Sequence, residues 1–283
     1  MQIKLKKNWV NNMKDIGKLS HTLQILEKFN LNAKKSFGQN FLVDLNTIER
    51  IASLENIDKE TCVIEIGPGI GSLTEFLCRQ AKRVIAYDID ERLIEVLDYT
   101  LQDYDNVEIR LQDFLTVDVN ELISSIKEKV VIVSNLPYYI TTELLSKIVC
   151  TTGIQSFVGM MQKEVAVKLT NEISPLSLMM NYVGEVSYGF NVSNQVFIPK
   201  PHVDSAVISI RFKDELEYDR QLFFKFIQGC FKQRRKTIYN NLGLFLNNKQ
   251  QAKEILETNG IDLKTRAEQL SLSQFVQMFS QIN

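Results

Sequence analysis

Apolar and polar positions fall in short blocks along the chain, and the period within the blocks changes twice. In residues 21–29, Leu23, Ile25, Leu26 and Phe29 recur at helical spacing. A basic, turn-forming stretch follows, Lys34-Lys35-Ser36-Phe37-Gly38-Gln39-Asn40-Phe41-Leu42, and Asp44 is placed to cap a helix through about Leu54. The period then shortens. Residues 61–66 read as a buried strand, Gly67-Pro68-Gly69-Ile70-Gly71 as a turn, and a helix begins at Ser72. Strands over 84–88, 107–111, 130–133 and 157–161 alternate with helices over about 91–101 and 141–149. Such alternation gives βαβ units and a mostly parallel sheet. Residues 205–212 alternate at period two, which suits a late antiparallel strand. Beyond Asp214 the pattern is helical to the end, including 223–231 and the run Lys232-Gln233-Arg234-Arg235-Lys236. An α/β domain followed by a small all-helical one is expected, with the boundary near 213–219.

Composition narrows the class. A chain of 283 residues accommodates one large domain and a small one. No apolar run reaches the ~18 residues of a membrane span, so no membrane partner is expected. Cys62, Cys78, Cys150 and Cys230 show no paired or metal-type spacing, and there are two histidines, so no metal site is expected. Reduced thiols fit a cytosolic compartment. The net charge of −1 conceals a strong asymmetry: residues 1–40 carry +6, residues 41–219 carry −13 and residues 220–283 carry +6. Basic ends around an acidic middle suit an enzyme that binds a polyanion and holds a cation in its pocket. Residues 1 to about 18 are Lys- and Asn-rich, lack Arg and lack the apolar stretch of a secretory signal, which reads as a flexible basic arm.

The candidate chemistry sits at strand ends. Glycines 67, 69 and 71 let backbone approach a ligand closely. Their G-x-G-x-G spacing and Pro68, which removes one N–H from any pyrophosphate cradle, favour a nucleoside ligand over a dinucleotide. Asp88 ends the second strand, where a carboxylate binds both ribose hydroxyls with charge-assisted bonds of roughly 1.5–3 kcal/mol. Asp113, after the third strand, is placed to accept from an adenine amino group, and Glu65 either faces a cationic ligand or orients the loop. A lone carboxylate at such a place is ordinarily a surface residue; three at successive strand ends beside a glycine turn indicate a site. The fourth strand ends in Ser134-Asn135-Leu136-Pro137-Tyr138-Tyr139. Pro137 stops the ladder there. Read alone, the segment is a strand-to-helix turn with a capping Asn and a packed Tyr. It also offers a side-chain oxygen on Asn135 and the Leu136 carbonyl to the two hydrogens of an aromatic amine, with Tyr138 to cover the ring.

Taken in order, Gln39-Asn40-Phe41-Leu42, Glu65-Ile66-Gly67-Pro68-Gly69-Ile70-Gly71 and Asn135-Leu136-Pro137-Tyr138 resemble signatures of the rRNA adenine dimethyltransferases. So do Gln162-Lys163-Glu164-Val165-Ala166, Phe197-Ile198-Pro199-Lys200-Pro201-His202-Val203-Asp204-Ser205 and Gln233-Arg234-Arg235-Lys236-Thr237. The resemblance runs from about residue 15 to the end. Leu136, the Gln-Arg-Arg-Lys-Thr run and the Val-Asp-Ser ending are similar to the small-subunit branch rather than the macrolide-resistance branch, which usually has Ile after the Asn.

The resemblance implies a Rossmann-like methyltransferase domain over 21–215, with a seven-stranded sheet whose last strand is reversed. A basic arm over 1–20 would precede it and a helical RNA-binding domain over 216–283 would follow. It implies S-adenosylmethionine as donor, held by Gln39, Asn40, Leu42, Glu65, Gly67, Gly69, Gly71, Asp88, Asp113 and Asn135. Asn135, Leu136, Pro137, Tyr138 and Phe197 would form the target-base pocket, and Lys34, Lys35, Lys232, Arg234, Arg235 and Lys236 would meet RNA. The expected activity is dimethylation of the 6-amino groups of two adjacent adenines in the 3′-terminal hairpin of small-subunit rRNA, by a cytoplasmic monomer. The family usually has Glu where Asp88 stands and Gly where Gln112 stands, and residues 168–178 lack its glycine-containing loop. The rival readings are methylation of large-subunit rRNA, a non-catalytic ribosome-assembly or transcription factor on the same fold, and a DNA adenine methyltransferase.

Overall fold

The computed structural model describes residues 15–33 and 38–282. Lys34, Lys35 and the first fourteen residues of the arm lie outside the described residues. The described residues open with α1 (Leu19–Lys28), a two-residue strand β1 (Phe41–Leu42) and α2 (Leu45–Ala52), which Asp44 caps by accepting from Thr47 N. The central alternation is β2 (Thr61–Ile66), α3 (Ser72–Gln80), β3 (Arg83–Asp88), α4 (Arg92–Thr100), β4 (Val107–Leu111), α5 (Val119–Ser124), β5 (Lys129–Asn135), α6 (Thr141–Val149) and β6 (Ile154–Gln162). Then come α7 (Lys163–Asn171), α8 (Pro175–Val183), β7 (Gly184–Val192), β8 (Phe197–Ile198) and β9 (Ser205–Phe212). Four helices finish the chain: α9 (Arg220–Cys230), α10 (Ile238–Phe245), α11 (Lys249–Thr258) and α12 (Leu272–Ser280).

Seven strands form one sheet in the order β4-β3-β2-β5-β6-β9-β7. β4, β3, β2, β5 and β6 pair in parallel, and β9 runs antiparallel to both β6 and β7. The expected reversed last strand is therefore β9. All six residues of β2 are buried, because helices cover both faces of a parallel sheet. On one face Val63, Val131, Val133 and Val158 pack against Ile48 and Ile51 of α2 and Leu73 and Leu77 of α3. On the other, Ile64, Ile132, Phe157 and Ile208 pack against α6 and α8.

That second core does not stop at the sheet. It continues without a break into Phe223, Phe226, Leu256, Phe275 and Met278 of the C-terminal helices. Phe223 lies 4.2 Å from Tyr182 of α8 between ring centroids and 5.2 Å from Phe279 of α12.

Four features differ from the sequence reading. The basic run 232–236 is not helical: α9 ends at Cys230, and the run is a fully exposed loop before α10. Buried Asn241 holds that loop, accepting from Gln233 N at 3.0 Å and donating to Gln233 O at 3.2 Å. The arm is fixed from residue 15 onward, where Ile16 is buried and its N–H donates to Glu75 Oε2 at 2.8 Å. β7 carries no clean alternation, because Gly184, Gly189 and a bulge between Tyr188 and Phe190 interrupt it. Finally, β1 and β8 pair across some 155 residues of sequence, Leu42 opposite Phe197, which no local pattern announces.

A shared core couples the sheet to the C-terminal helices energetically. Phe223→Ala is expected to cost about 3–5 kcal/mol, and hydrogen exchange should show protection falling in β5 and β9 as well as in α9 and α12. Loss confined to the helices would show two independent units.

Candidate active site

β2 and β5 are neighbours, but their crossovers leave in opposite directions, to β3 on one side and to β6 on the other. A crevice opens outside the carboxyl ends of strands at such a reversal. Here it is lined by Gln39, Asn40, Leu42, Glu65, Gly67, Gly69, Asp88, Asp113, Asn135, Leu136, Pro137 and Tyr138. Twelve of the residues singled out in the sequence thus meet in one cavity.

Gly71 and Phe197 do not line it. Gly71 is the N-cap of α3 with φ +94, and a side chain there would meet Thr100 Oγ1 at 3.2 Å and Leu101 at 3.3 Å, away from the crevice. Its part is to let α3 start close against α4. Phe197 was expected to face the target base. It is instead 3% exposed, packed in the core beneath Leu42, because β8 pairs with β1. Lys232, Arg234, Arg235 and Lys236 stand exposed on their loop, outside the cavity lining.

The floor of the cavity is acidic and buried. Glu65 is 1% exposed, and its Oε2, with the buried Ser72 Oγ, has no hydrogen-bond partner among the described residues. Burial pushes its carboxyl up to about 8, with the Asp88 charge adding to the rise. Asp88 is raised to about 6, again mainly by burial, although Asp90 N donates to its Oδ1 at 2.9 Å. Two buried carboxyls held towards neutrality, one of them with an unpaired oxygen, fit a ligand that brings cationic charge and N–H or O–H donors. Asp113 is exposed at the rim, where it caps a turn by accepting from Leu115 N at 2.9 Å.

The strap carrying Gln39 and Asn40 is clasped over this floor. Gln39 Nε2 donates to Asp90 Oδ2 at 2.9 Å, and Asn40 Nδ2 donates to Gly38 O at 2.8 Å. Asp90 is buried and lies against Arg92, 2.6 Å from Nη2, which holds its carboxyl well below the usual range. Arg92 also donates to Asn32 O at 3.3 Å, on the other side of residues 34–37. Asp90 was not among the expected site residues. Its place two positions after Asp88 at a strand end is the signal that marks it.

At the end of β5 the backbone is anchored and two acceptors are left over. Ser134 Oγ donates to Ile66 O at 2.6 Å, and Leu136 N donates to Met160 O at 2.9 Å, fixing the segment to both flanking strands. Among the described residues, nothing donates to the side-chain oxygen of Asn135 or to the carbonyl of Leu136. Tyr138 is half-buried beside them, its hydroxyl 2.7 Å from Oγ of Ser205 at the start of β9. Ser205 is the second residue whose role the sequence reading left out, although it closes the Phe-Ile-Pro-Lys-Pro-His-Val-Asp-Ser signature.

Residues 30–283 match the family model of the ribosomal RNA adenine dimethylases. The chain is 43% identical to the ribosomal RNA small subunit methyltransferase A of Staphylococcus carnosus, over 96% of this chain and 97% of that protein. The protein of the same name from Pediococcus pentosaceus is 42% identical over the same shares. The chain belongs to the ribosomal RNA adenine dimethylase family. Among solved structures, the 23S rRNA methyltransferase ErmE is similar with a TM-score of 0.67 at 27% identity, over 85% of this chain and 98% of that one. A dimethyladenosine transferase from Plasmodium falciparum shares the fold with a TM-score of 0.71 at 24% identity, over 86% and 97%. The chain is therefore an S-adenosylmethionine-dependent methyltransferase on a Rossmann-like fold. The acidic, partly unpaired cavity floor fits that donor.

Glu65 is neutral in the folded chain over pH 4.5 to 8, where it ionises when unfolded, so the folded state loses stability as pH rises through that window. Glu65→Gln should therefore melt above the parent chain at pH 8, with the gap closing towards pH 4 in paired thermal melts. A second outcome follows from Asp90: Asp90→Asn releases the strap and should weaken donor binding several-fold by calorimetry while leaving the melting temperature within a few degrees.

Proposed function

We infer that this methyltransferase dimethylates the 6-amino groups of two adjacent adenines in the 3′-terminal hairpin of small-subunit rRNA. The observation that carries the reading is the pair of unpaired acceptors at Asn135 and Leu136, set beside the Tyr138 ring at the mouth of the donor cavity. S-adenosylmethionine supplies a methyl group activated by a cationic sulfur. Glu65, Asp88 and Asp113 would hold it from the floor and rim, with the strap of Gln39, Asn40 and Leu42 across it.

An adenine amino nitrogen is a poor nucleophile because its lone pair is delocalised into the ring. When the Asn135 oxygen and the Leu136 carbonyl accept its two hydrogens, that pair is drawn out of conjugation and directed at the methyl group. Acceleration then comes from position and electrostatics, and the proton leaves to solvent. The adenine must first leave its stack, at a cost of a few kcal/mol. Stacking on Tyr138, which Ser205 orients, returns roughly 1–3 kcal/mol.

Identity of 42–43% to proteins named for the small subunit, against 27% to a 23S enzyme, favours the small subunit as substrate. The exposed cations Lys232, Arg234, Arg235 and Lys236 would meet phosphates, with residues 216–283 serving as the RNA-binding part and Lys34 and Lys35 adding positive charge. A cytoplasmic monomer acting during ribosome assembly fits this reading.

The deciding experiment gives the chain labelled donor with small subunits lacking adenine dimethylation, large subunits and DNA in parallel, and maps the label. Label on adjacent adenines of the small-subunit hairpin is expected; label on large subunits or DNA would refute the reading. Asn135→Ala should lower turnover at least a hundredfold with an unchanged circular dichroism spectrum. Arg234→Glu with Arg235→Glu should weaken rRNA binding and reduce the slope of log affinity against log salt by about 1.5, near 0.7–0.9 per phosphate contact.

A further inference from the structure

The Asn-Leu-Pro-Tyr segment is followed by a second tyrosine that the mechanism above does not use. Tyr139 is 53% exposed, yet it lines the same cavity. The turn that carries it is fixed, with Ile140 N donating to Pro137 O at 3.2 Å and Thr141 Oγ1 to the same oxygen at 3.1 Å. The two tyrosines of this turn have different surroundings. Tyr138 is tied to Ser205, whereas the hydroxyl of Tyr139 makes no hydrogen bond to any described residue. Its ring stands at the lip opposite the strap: a side chain at Gly38 would lie 3.7 Å from Tyr139 Cδ1.

Electrostatics separates the two rings further. Burial and then the charges of Asp113 and Asp88 raise the Tyr139 phenol, so it shares its surroundings with the two carboxylates assigned to the donor's nucleoside. The Tyr138 phenol is raised by burial alone, offset by Ser205, and feels neither carboxylate. One ring therefore belongs to the target-base side of the segment and the other to the donor side.

We propose that Tyr139 is the outer wall of the donor site: its ring closes over the nucleoside half of bound S-adenosylmethionine, and its hydroxyl is a hydrogen-bonding group held for that ligand. This rests on the assignment of Asp88 and Asp113 to the donor. Half of a large ring stays in water until the donor arrives, and contact with the flat nucleoside then buries it.

The test titrates S-adenosylhomocysteine into the full chain, Tyr139→Phe and Tyr139→Ala by calorimetry, and measures KM for small subunits with each. Tyr139→Ala should bind about tenfold more weakly and Tyr139→Phe within threefold of the parent, with KM for the subunit unchanged in both. In a W9F background, which removes the only native tryptophan, Tyr139→Trp should report binding through quenching of its indole emission. Affinity for S-adenosylhomocysteine unchanged in Tyr139→Ala, a rise in subunit KM alone, or an indole blind to the ligand would each overturn the proposal. The parent chain's own binding of S-adenosylhomocysteine tests the donor site separately, so a failure of Tyr139 is told apart from a failure of the site.

Discussion

The fold is organised around an end of a strand that is prevented from completing its hydrogen bonds. Every buried backbone acceptor normally finds a donor. At the tip of β5, Pro137 has no N–H to continue a ladder, and the neighbouring β2 turns away into the glycine loop, so the Leu136 carbonyl and the Asn135 amide face open space. An irregular tip of this kind would ordinarily be mobile. Here Leu136 is sunk in the core, its N–H is spent on Met160 O, and Ser134 ties to Ile66 O. The acceptors are unpaired because the ladder stops, and fixed because everything around them is paired.

The donor side follows a complementary rule. Buried carboxylates without cations are costly, and Glu65 and Asp88 sit on the floor of the cavity with carboxyls driven towards neutrality. A ligand carrying positive charge lowers that cost, so the buried carboxyls favour a cationic donor. Asp90 is the contrast. Its carboxylate is partnered by Arg92 and Gln39, and through Gln39 it fastens the strap. Glu65, Asp88 and Asp90 thus differ in how readily each ionises, set by burial and by which partner each one has.

Much of this was legible in the sequence because it is local. The apolar run at 130–133 followed by a proline gives both the strand and its end; Asp44 gives the cap of α2; the glycine spacing gives a turn that tolerates positive φ. What escaped depends on contacts distant in sequence. Phe197 reads as a site aromatic from its motif, but its pairing partner is Leu42, and that pairing buries it. The basic run 232–236 is made of good helix formers, and it is a loop because buried Asn241 captures both polar backbone groups of Gln233. Ser205 and Asp90 are unremarkable locally; their roles come from Tyr138 and Gln39, 67 and 51 residues away.

The central claim is that Asn135 and Leu136 accept the two hydrogens of the target amine, and a chemical double-mutant cycle measures it directly. Affinities of the parent chain and of Asn135→Ala are compared for small subunits carrying unmodified adenines and for subunits carrying N6,N6-dimethyladenine, which has no hydrogens to give. The account predicts that the parent prefers unmodified subunits about five- to tenfold and that Asn135→Ala loses most of this preference, a coupling of about 1 kcal/mol. An equal preference in both proteins would show that the amide does not touch the amine.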